Sequence, residues 1–193
     1  ENGIFAGGAL AAYLFKYIDP TATVQHFIED GALVEKGNVA LIVEGNTIQL
    51  LQSERLVLNY LQRLSGIATR TYSYAHKIEH TPCTVLDTRK TTPGLRVLEK
   101  WAVALGGGGN HRMGLYDMVM LKDNHIDFAG GIPEAVARTK AYLAKNNRAL
   151  AIEVETRNLT EVKAALEADV DRIMLDNFSI SETKEAVAFI AGR

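Results

Sequence analysis

A single cysteine, Cys83, stands in the 193 residues, so no internal disulfide forms and a reducing compartment is expected. Proline and tryptophan are scarce as well, at four and one, and aromatic side chains make up 7%. With 47% hydrophobic and 23% charged residues, the composition excludes a disordered, collagenous or disulfide-stapled chain. An excess of either charge is missing too. Lys and Arg number 21 against 23 Asp and Glu, for a net charge of -2, so no global field draws the chain onto nucleic acid or an anionic membrane. The longest uncharged stretch, Gly3 to Phe15, falls short of the ~18 apolar residues of a spanning helix. It follows a glutamate rather than a basic segment, unlike a signal peptide. The expectation is a cytoplasmic globular protein with neither nucleic acid nor membrane as partner.

Domains commonly run to roughly 100–200 residues, so the length admits one domain, or one plus a piece of another. The chain opens at Glu1 without an initiator methionine and stops at Arg193 straight after a helical pattern, so the expectation is that either the chain is cut or its ends are not shown. The first fifty residues read as a small β-rich unit, with strand patterns at Thr23 to Ile28 and Val39 to Val43 and a turn at Asp30-Gly31. Thr47 to Leu51 could pair back as a strand, and Gly3 to Ile18 reads as a helix. From Ser53, a plausible N-cap, apolar residues recur in steps of three and four from Val57 to Ile78. That pattern predicts a long connector helix, with Gly66 a candidate kink.

After Thr81-Pro82 strand and helix patterns alternate. Strands are predicted at Thr84–Asp87, Met118–Leu121, Ala151–Glu155 and Arg172–Asp176. Helices are predicted at Leu95–Leu105, Pro133–Lys145, Leu159–Ala168 and Ile180–Ile190, with capping boxes at Asn158/Glu161 and Ser179/Glu182. Repeated strand–helix units mean a parallel sheet. Trp101 and the other aromatics read as core.

Each strand pattern carries ionisable residues at its carboxyl end: Asp87, Arg89 and Lys90, then Lys122, then Glu153 and Glu155, then Asp176. Ligand sites of parallel α/β folds form at that edge, because the loops leaving all strands converge there. Taken singly, such charges also cap helices or pair with one another. Arg89, Lys90, Arg112 and Lys122 supply donors for carboxylate or phosphate, and Asp87, Glu155 and Asp176 supply hard oxygens for Mg²⁺ or acceptors for sugar hydroxyls. A phosphorylated sugar matches both halves.

The run Gly106 to Gly109 followed by Asn110-His111-Arg112 reads as a binding loop or as a plain helix end. It fits neither the Walker A nor the dinucleotide spacing. His111 and His125 lack the spacing of a zinc site. Lys122 could form a Schiff base, although the neighbouring Asp123 favours its charged form, and Cys83 has no base nearby in sequence.

Three segments carry a resemblance: Asp87-Thr88-Arg89-Lys90-Thr91-Thr92-Pro93-Gly94-Leu95-Arg96, Gly106 to Arg112, and Leu121-Lys122-Asp123-Asn124-His125. In this order they closely resemble the quinolinate phosphoribosyltransferase family. Ser53-Glu54-Arg55, Leu64 to Thr69, Glu153-Val154-Glu155 and Leu175-Asp176-Asn177 extend the match. The resemblance implies an α/β chain: residues 1–65 part of an N-terminal α/β sandwich domain with a connector helix, and 66–193 the first part of an α/β barrel. It implies pentosyl transfer, in which quinolinate and phosphoribosyl pyrophosphate give nicotinate mononucleotide, pyrophosphate and carbon dioxide, with Mg²⁺, in NAD biosynthesis. It also implies that Arg89, His111 and Arg112 bind the two quinolinate carboxylates, with Thr88 a further substrate-binding residue and Lys90 reaching substrate and phosphates. Lys122 would contact the phosphoribosyl group, and Glu155 and Asp176 its ribose and the metal. Lys90, Lys122, Glu155 and Asp176 are the implied catalytic set. Arg55 would reach into the partner subunit's site, making a homodimer the working unit. Alternatives kept beside this are a pyrophosphorylase for another aromatic acid, a truncated non-catalytic relative, and a Schiff-base lyase through Lys122.

Overall fold

The computed structural model describes residues 2–192. Glu1 and Arg193, named above as the chain's ends, lie outside the described residues. The chain divides into two compact units, Glu1–Met113 and Gly114–Arg193.

The first unit opens with β1 (Gly3–Ile4) and α1 (Gly8–Ile18). The helix expected from Gly3 starts later because β1 is taken by antiparallel pairing with β3 (Leu33–Val34). Asp30 then sets the start. Its carboxylate accepts from the N–H groups of Gly7, Gly8 and Ala9 at 2.6, 2.8 and 3.0 Å, filling donors that a helix leaves orphaned. β2 (Thr23–His26) pairs antiparallel with β4 (Leu41–Glu44).

Thr47 to Leu51 is not a strand. It begins α2 (Thr47–Ile78), a helix of 32 residues capped by Asn46, whose side chain accepts from Ile48 N–H at 3.0 Å and Gln49 N–H at 3.3 Å. Ser53 is therefore inside the helix rather than at its start. Its buried hydroxyl donates back to the carbonyls of Gln49 and Leu50. The helix also runs unbroken through Gly66. Nothing lies within 4 Å of a side chain there, so the glycine costs only about 1 kcal/mol of propensity, which the buried Val57, Leu64 and Ala68 outweigh.

α3 (Arg96–Leu105) packs on α2, and Ile4, Ala6, Leu64, Ala68 and Ala102 form a shared core with Trp101 against its edge. The remaining aromatics are less uniformly interior than expected: Tyr13, Tyr17 and Tyr74 are exposed, and in the second unit Phe128 is 91% exposed. Between α2 and α3 the expected strand Thr84–Asp87 shrinks to one parallel bridge, Leu86 to Gly109. Its neighbour is the glycine run, which turns at Gly107 with a φ of 82° and offers little extended chain to pair with.

The second unit contains β5 (Val119–Leu121), α4 (Asp123–Ala129), α5 (Ile132–Lys145), β6 (Ile152–Thr156), α6 (Leu159–Glu167), β7 (Arg172–Leu175) and α7 (Ile180–Ile190). The three strands form a wholly parallel sheet in the order β5-β6-β7, each strand leading into a helix. This is the mixed α/β architecture of the first part of a barrel. Ile152 and Val154 share a core with Leu121, Ile126, Val136 and Leu143. Ser179 and Glu182 complete their capping box. At Asn158 only half of one forms, since Glu161 turns its carboxylate to Arg157 N–H at 2.7 Å. No helix among the described residues is long and apolar enough to cross a membrane.

Gly106 closes α3 against α2, where a Cβ would run into the Ala68 carbonyl oxygen. Gly106→Ala should therefore destabilise the fold by about 1–3 kcal/mol. An unchanged urea midpoint would show that the contact is slack.

Candidate active site

In the first unit the ionisable residues at Asp87 to Lys90 and Asn110 to Arg112 are brought together through one buried carboxylate. Asp87 forms an ion pair with Lys100, which has no exposed side-chain surface, while Asp87 itself is 7% exposed. Asp87 Oδ1 also accepts from the His111 N–H at 2.8 Å. Asn110, with its amide nitrogen turned inward, donates to Asp87 Oδ2 at 2.7 Å and to the Lys100 carbonyl at 2.9 Å. A carboxylate holding this many donors is fully committed inside the protein. Asp87 is thus not the metal or sugar ligand that its place at a predicted strand end indicated.

Beyond Asp87 the chain turns. Lys90 N–H donates to the Thr88 hydroxyl at 3.0 Å, leaving the Thr88 and Lys90 side chains exposed. Arg89 is half-buried, and its Nε is buried without a hydrogen-bond partner. An orphaned cationic donor is costly and invites an anionic acceptor. His111 and Arg112 are half-buried on the segment that Asp87 anchors. Arg55 is exposed on α2, away from this set in sequence and on another element. An open groove of about 830 Å³ along α2, lined by Arg63, Gly66, Ile67, Arg70 and Tyr74 among others, includes none of Arg89, His111 or Arg112.

A second polar network supports the same segment. Arg63 Nε donates to Glu99 Oε1 at 2.8 Å, and Glu99 Oε2 accepts from Thr92 N–H at 3.1 Å. Burial pushes the Glu99 carboxyl up, but the Arg63 and Thr92 hydrogen bonds outweigh it and hold the group below the usual range. Lys100 and Glu99 escaped the sequence reading, and Arg96 and Asn110 stood in the quoted motifs without a role, because nothing in the pattern separates a buried polar side chain from an exposed one. For Lys100 and Arg96 the one usable signal was their i,i+4 spacing on a helix beside two cationic loops.

In the second unit β6 supplies the central carboxylates. Glu153 and Glu155 alternate with the core residues Ile152 and Val154 and so face the opposite side of the sheet. Glu153 is fully buried with Arg172 Nη1 at 3.3 Å from its Oε2. Lys122, half exposed at the carboxyl end of β5, lies 3.3 Å from Glu155 Oε2, an ion pair at an angle that makes no hydrogen bond. Glu155 pairs in register with Met174, two residues before Asp176, so the alternation puts Glu155 and Asp176 on one face of adjacent strands. Asp176 N–H continues the ladder to Thr156 O at 2.9 Å, and its Oδ2 accepts from Asn177. His125 accepts the Lys122 N–H at 3.0 Å, which holds the start of α4. Arg157 is held by Glu161 and then Asp127, both of which raise its already high pKa and commit it to the surface.

The described residues gather no cluster of three or more His, Cys, Asp or Glu side chains suited to a metal. Two carboxylates on one sheet face fit Mg²⁺, which takes one or two protein oxygens and completes its shell with water and phosphate.

The second unit is thus a parallel α/β unit with two carboxylates at its strand ends, and the first carries two cationic segments tied to one buried carboxylate. The sequence models of the quinolinate phosphoribosyltransferase N-terminal and C-terminal domains match residues 1–65 and 67–193, and the chain belongs to that family. It is 46% identical to the mitochondrial quinolinate phosphoribosyltransferase [decarboxylating] 2a of Nicotiana tabacum and 47% identical to the chloroplastic nicotinate-nucleotide pyrophosphorylase [carboxylating] of Arabidopsis thaliana, over the whole of this chain in both cases. The chain spans 59% of the length of each of these relatives. Among solved structures, NadC from Streptococcus pyogenes matches all of this chain and 67% of its own, at 41% identity and a TM-score of 0.93. The nicotinate-nucleotide pyrophosphorylase of Francisella tularensis matches all of this chain and 68% of its own, at 37% and 0.95.

The depressed Glu99 carboxyl fixes the sign of a pH effect. An unfolded glutamate near 4.5 takes up its proton before the folded one, so this contribution is complete above that value and is lost as the pH falls through the lower folded pKa. Glu99→Gln should reduce stability near neutral pH and flatten its decline in acid. Parallel stability-against-pH curves for the two proteins would sink the assignment.

Proposed function

We propose that the protein transfers the phosphoribosyl group of phosphoribosyl pyrophosphate to quinolinate, releasing pyrophosphate and carbon dioxide and forming nicotinate mononucleotide. The observation that carries this reading is the Asp87 carboxylate, which joins the Arg89 and His111-Arg112 segments into one cation-rich surface. Arg89, His111 and Arg112 bind the two carboxylates of quinolinate. A guanidinium offers two parallel N–H donors to a carboxylate, which orients the ring as well as holding it. Thr88 and Lys90 contribute a hydroxyl and a mobile ammonium from the exposed edge of the same turn.

Orientation matters because the pyridine nitrogen must meet the anomeric carbon as the bond to pyrophosphate breaks. The electron pair of that bond leaves with pyrophosphate, and positive charge builds on the ribose. Glu155 and Asp176 hold the ribose hydroxyls and stabilise that charge, and Lys122 holds the phosphoribosyl phosphate. The same two carboxylates would hold Mg²⁺, which when bound neutralises charge on the departing pyrophosphate. Ribosylation leaves the ring nitrogen positive. The carbon–carbon bond to the adjacent carboxylate then breaks with its electrons drawn to the ring, carbon dioxide departs, and the ring carbon takes up a proton.

The working unit in this reading is a homodimer, with the exposed Arg55 of α2 reaching the partner's substrate. The setting is the cytoplasm, where a lone thiol such as Cys83 stays reduced. An assay of the full-length protein with quinolinate, phosphoribosyl pyrophosphate and Mg²⁺ should yield nicotinate mononucleotide. Arg112→Ala should raise the KM for quinolinate by tenfold or more, on the order expected for a lost charge-assisted pair. No product despite normal binding of both substrates refutes the reaction, and an unaltered quinolinate affinity refutes the role of Arg112.

A further inference from the structure

We infer that Arg96 and Lys100, neither of which is placed to bind a ligand, are positioning residues that set the spacing of the two cationic segments from one face of α3. The inference rests on the reading that these segments grip quinolinate. The two residues are four apart on a helix and therefore lie one above the other on the same face.

Arg96 directs one donor from each guanidinium nitrogen to the two segments. Its Nη1 donates to the Met113 carbonyl at 3.1 Å, its Nη2 to the Arg89 carbonyl at 3.4 Å, and its Nε to the Thr91 hydroxyl at 3.2 Å. One planar group thus bridges the backbone beside Arg89 to the backbone beside Arg112. A turn further on, Lys100 is fully buried and pairs with Asp87, which accepts the His111 N–H. α3 thus holds the first segment at Asp87, Arg89 and Thr91, and the second directly at Met113 and, through Asp87, at His111.

Lys100 is therefore consumed inside the protein, and the half-buried Arg96 has each of its guanidinium nitrogens engaged by the two segments. Lys100 has no surface to offer a substrate, and every nitrogen of Arg96 already has an acceptor. Their effect on an anionic ligand is indirect. The two carboxylates of a pyridine dicarboxylate sit at a fixed separation, so guanidiniums on two segments grip both only if those segments keep their distance. Misplacement of a binding group by an ångström can cost about a hundredfold.

A purely structural role predicts a different outcome, namely lower stability with unchanged substrate constants. Arg96→Lys keeps the charge but loses the fork that reaches several acceptors at once. In the full-length protein it should raise the Kd for quinolinate by calorimetry about tenfold, while the KM for phosphoribosyl pyrophosphate stays within about twofold. Thr91→Val, which removes one Arg96 acceptor together with a long 3.5 Å hydroxyl donation to the Arg89 carbonyl, should raise the quinolinate Kd about threefold and decides the matter if the first variant does not fold. Quinolinate affinity unchanged in a folded variant, or equal losses for both substrates, overturns the inference while leaving the proposed reaction standing. An unaltered protein that binds no quinolinate overturns both.

Discussion

Asp87 and Lys100 meet where almost no water reaches, and the arrangement of the first unit's cationic surface hangs on that meeting. Taking two opposite charges out of water is expensive, and the attraction between them offsets the cost only when the remaining oxygens are also satisfied. Here they are, by the His111 N–H and the Asn110 amide. Loss of one partner from such a pair costs about 3–5 kcal/mol, because it strands the other charge. The pair therefore does more than join a helix to a loop. It makes the loop's position a condition of burying Lys100 at all.

The second unit solves a similar problem with alternation instead of a buried pair. On β6 the period of two sends Ile152 and Val154 into the apolar core and Glu153 and Glu155 to the other face. Arg172 on the neighbouring strand takes Glu153, whereas Glu155 keeps only the loosely aligned Lys122. Glu153 is thus tied to the neighbouring strand, while Glu155, two residues nearer the strand's carboxyl end, faces the half-exposed Lys122. The difference between neighbours in one motif comes from where the adjacent strands place their cations.

Much of this was legible in the residues. The strand and helix patterns from Met118 onward are all present, since long periodic segments bury one face whatever their surroundings, and the ordered motifs pointed to the family that the domain models bear out. The failures cluster where tertiary contacts override local pattern. Thr47 to Leu51 alternates like a strand, yet Asn46 caps it into a helix. Ser53 resembles a cap and is instead a buried hydroxyl bonded to the preceding turn. Asp87 looked like a ligand at a strand end, and only the three-dimensional position of Lys100 shows that it is already taken. Single-residue chemistry cannot distinguish an acid that waits for a partner from one that has found its own.

α2 has a consequence for the modular history of the chain. The two domain models meet around residue 66, at the middle of a helix that runs without interruption from Thr47 to Ile78. Ala68, just past that junction, is buried in the same cluster as Ile4 and Leu64 from before it. The boundary that evolution records is therefore not a boundary of cooperative folding. Severing the chain there would cut α2 in two and strip Ala68 of the Ile4 and Leu64 that cover it, so the junction lies inside the first compact unit rather than at its edge.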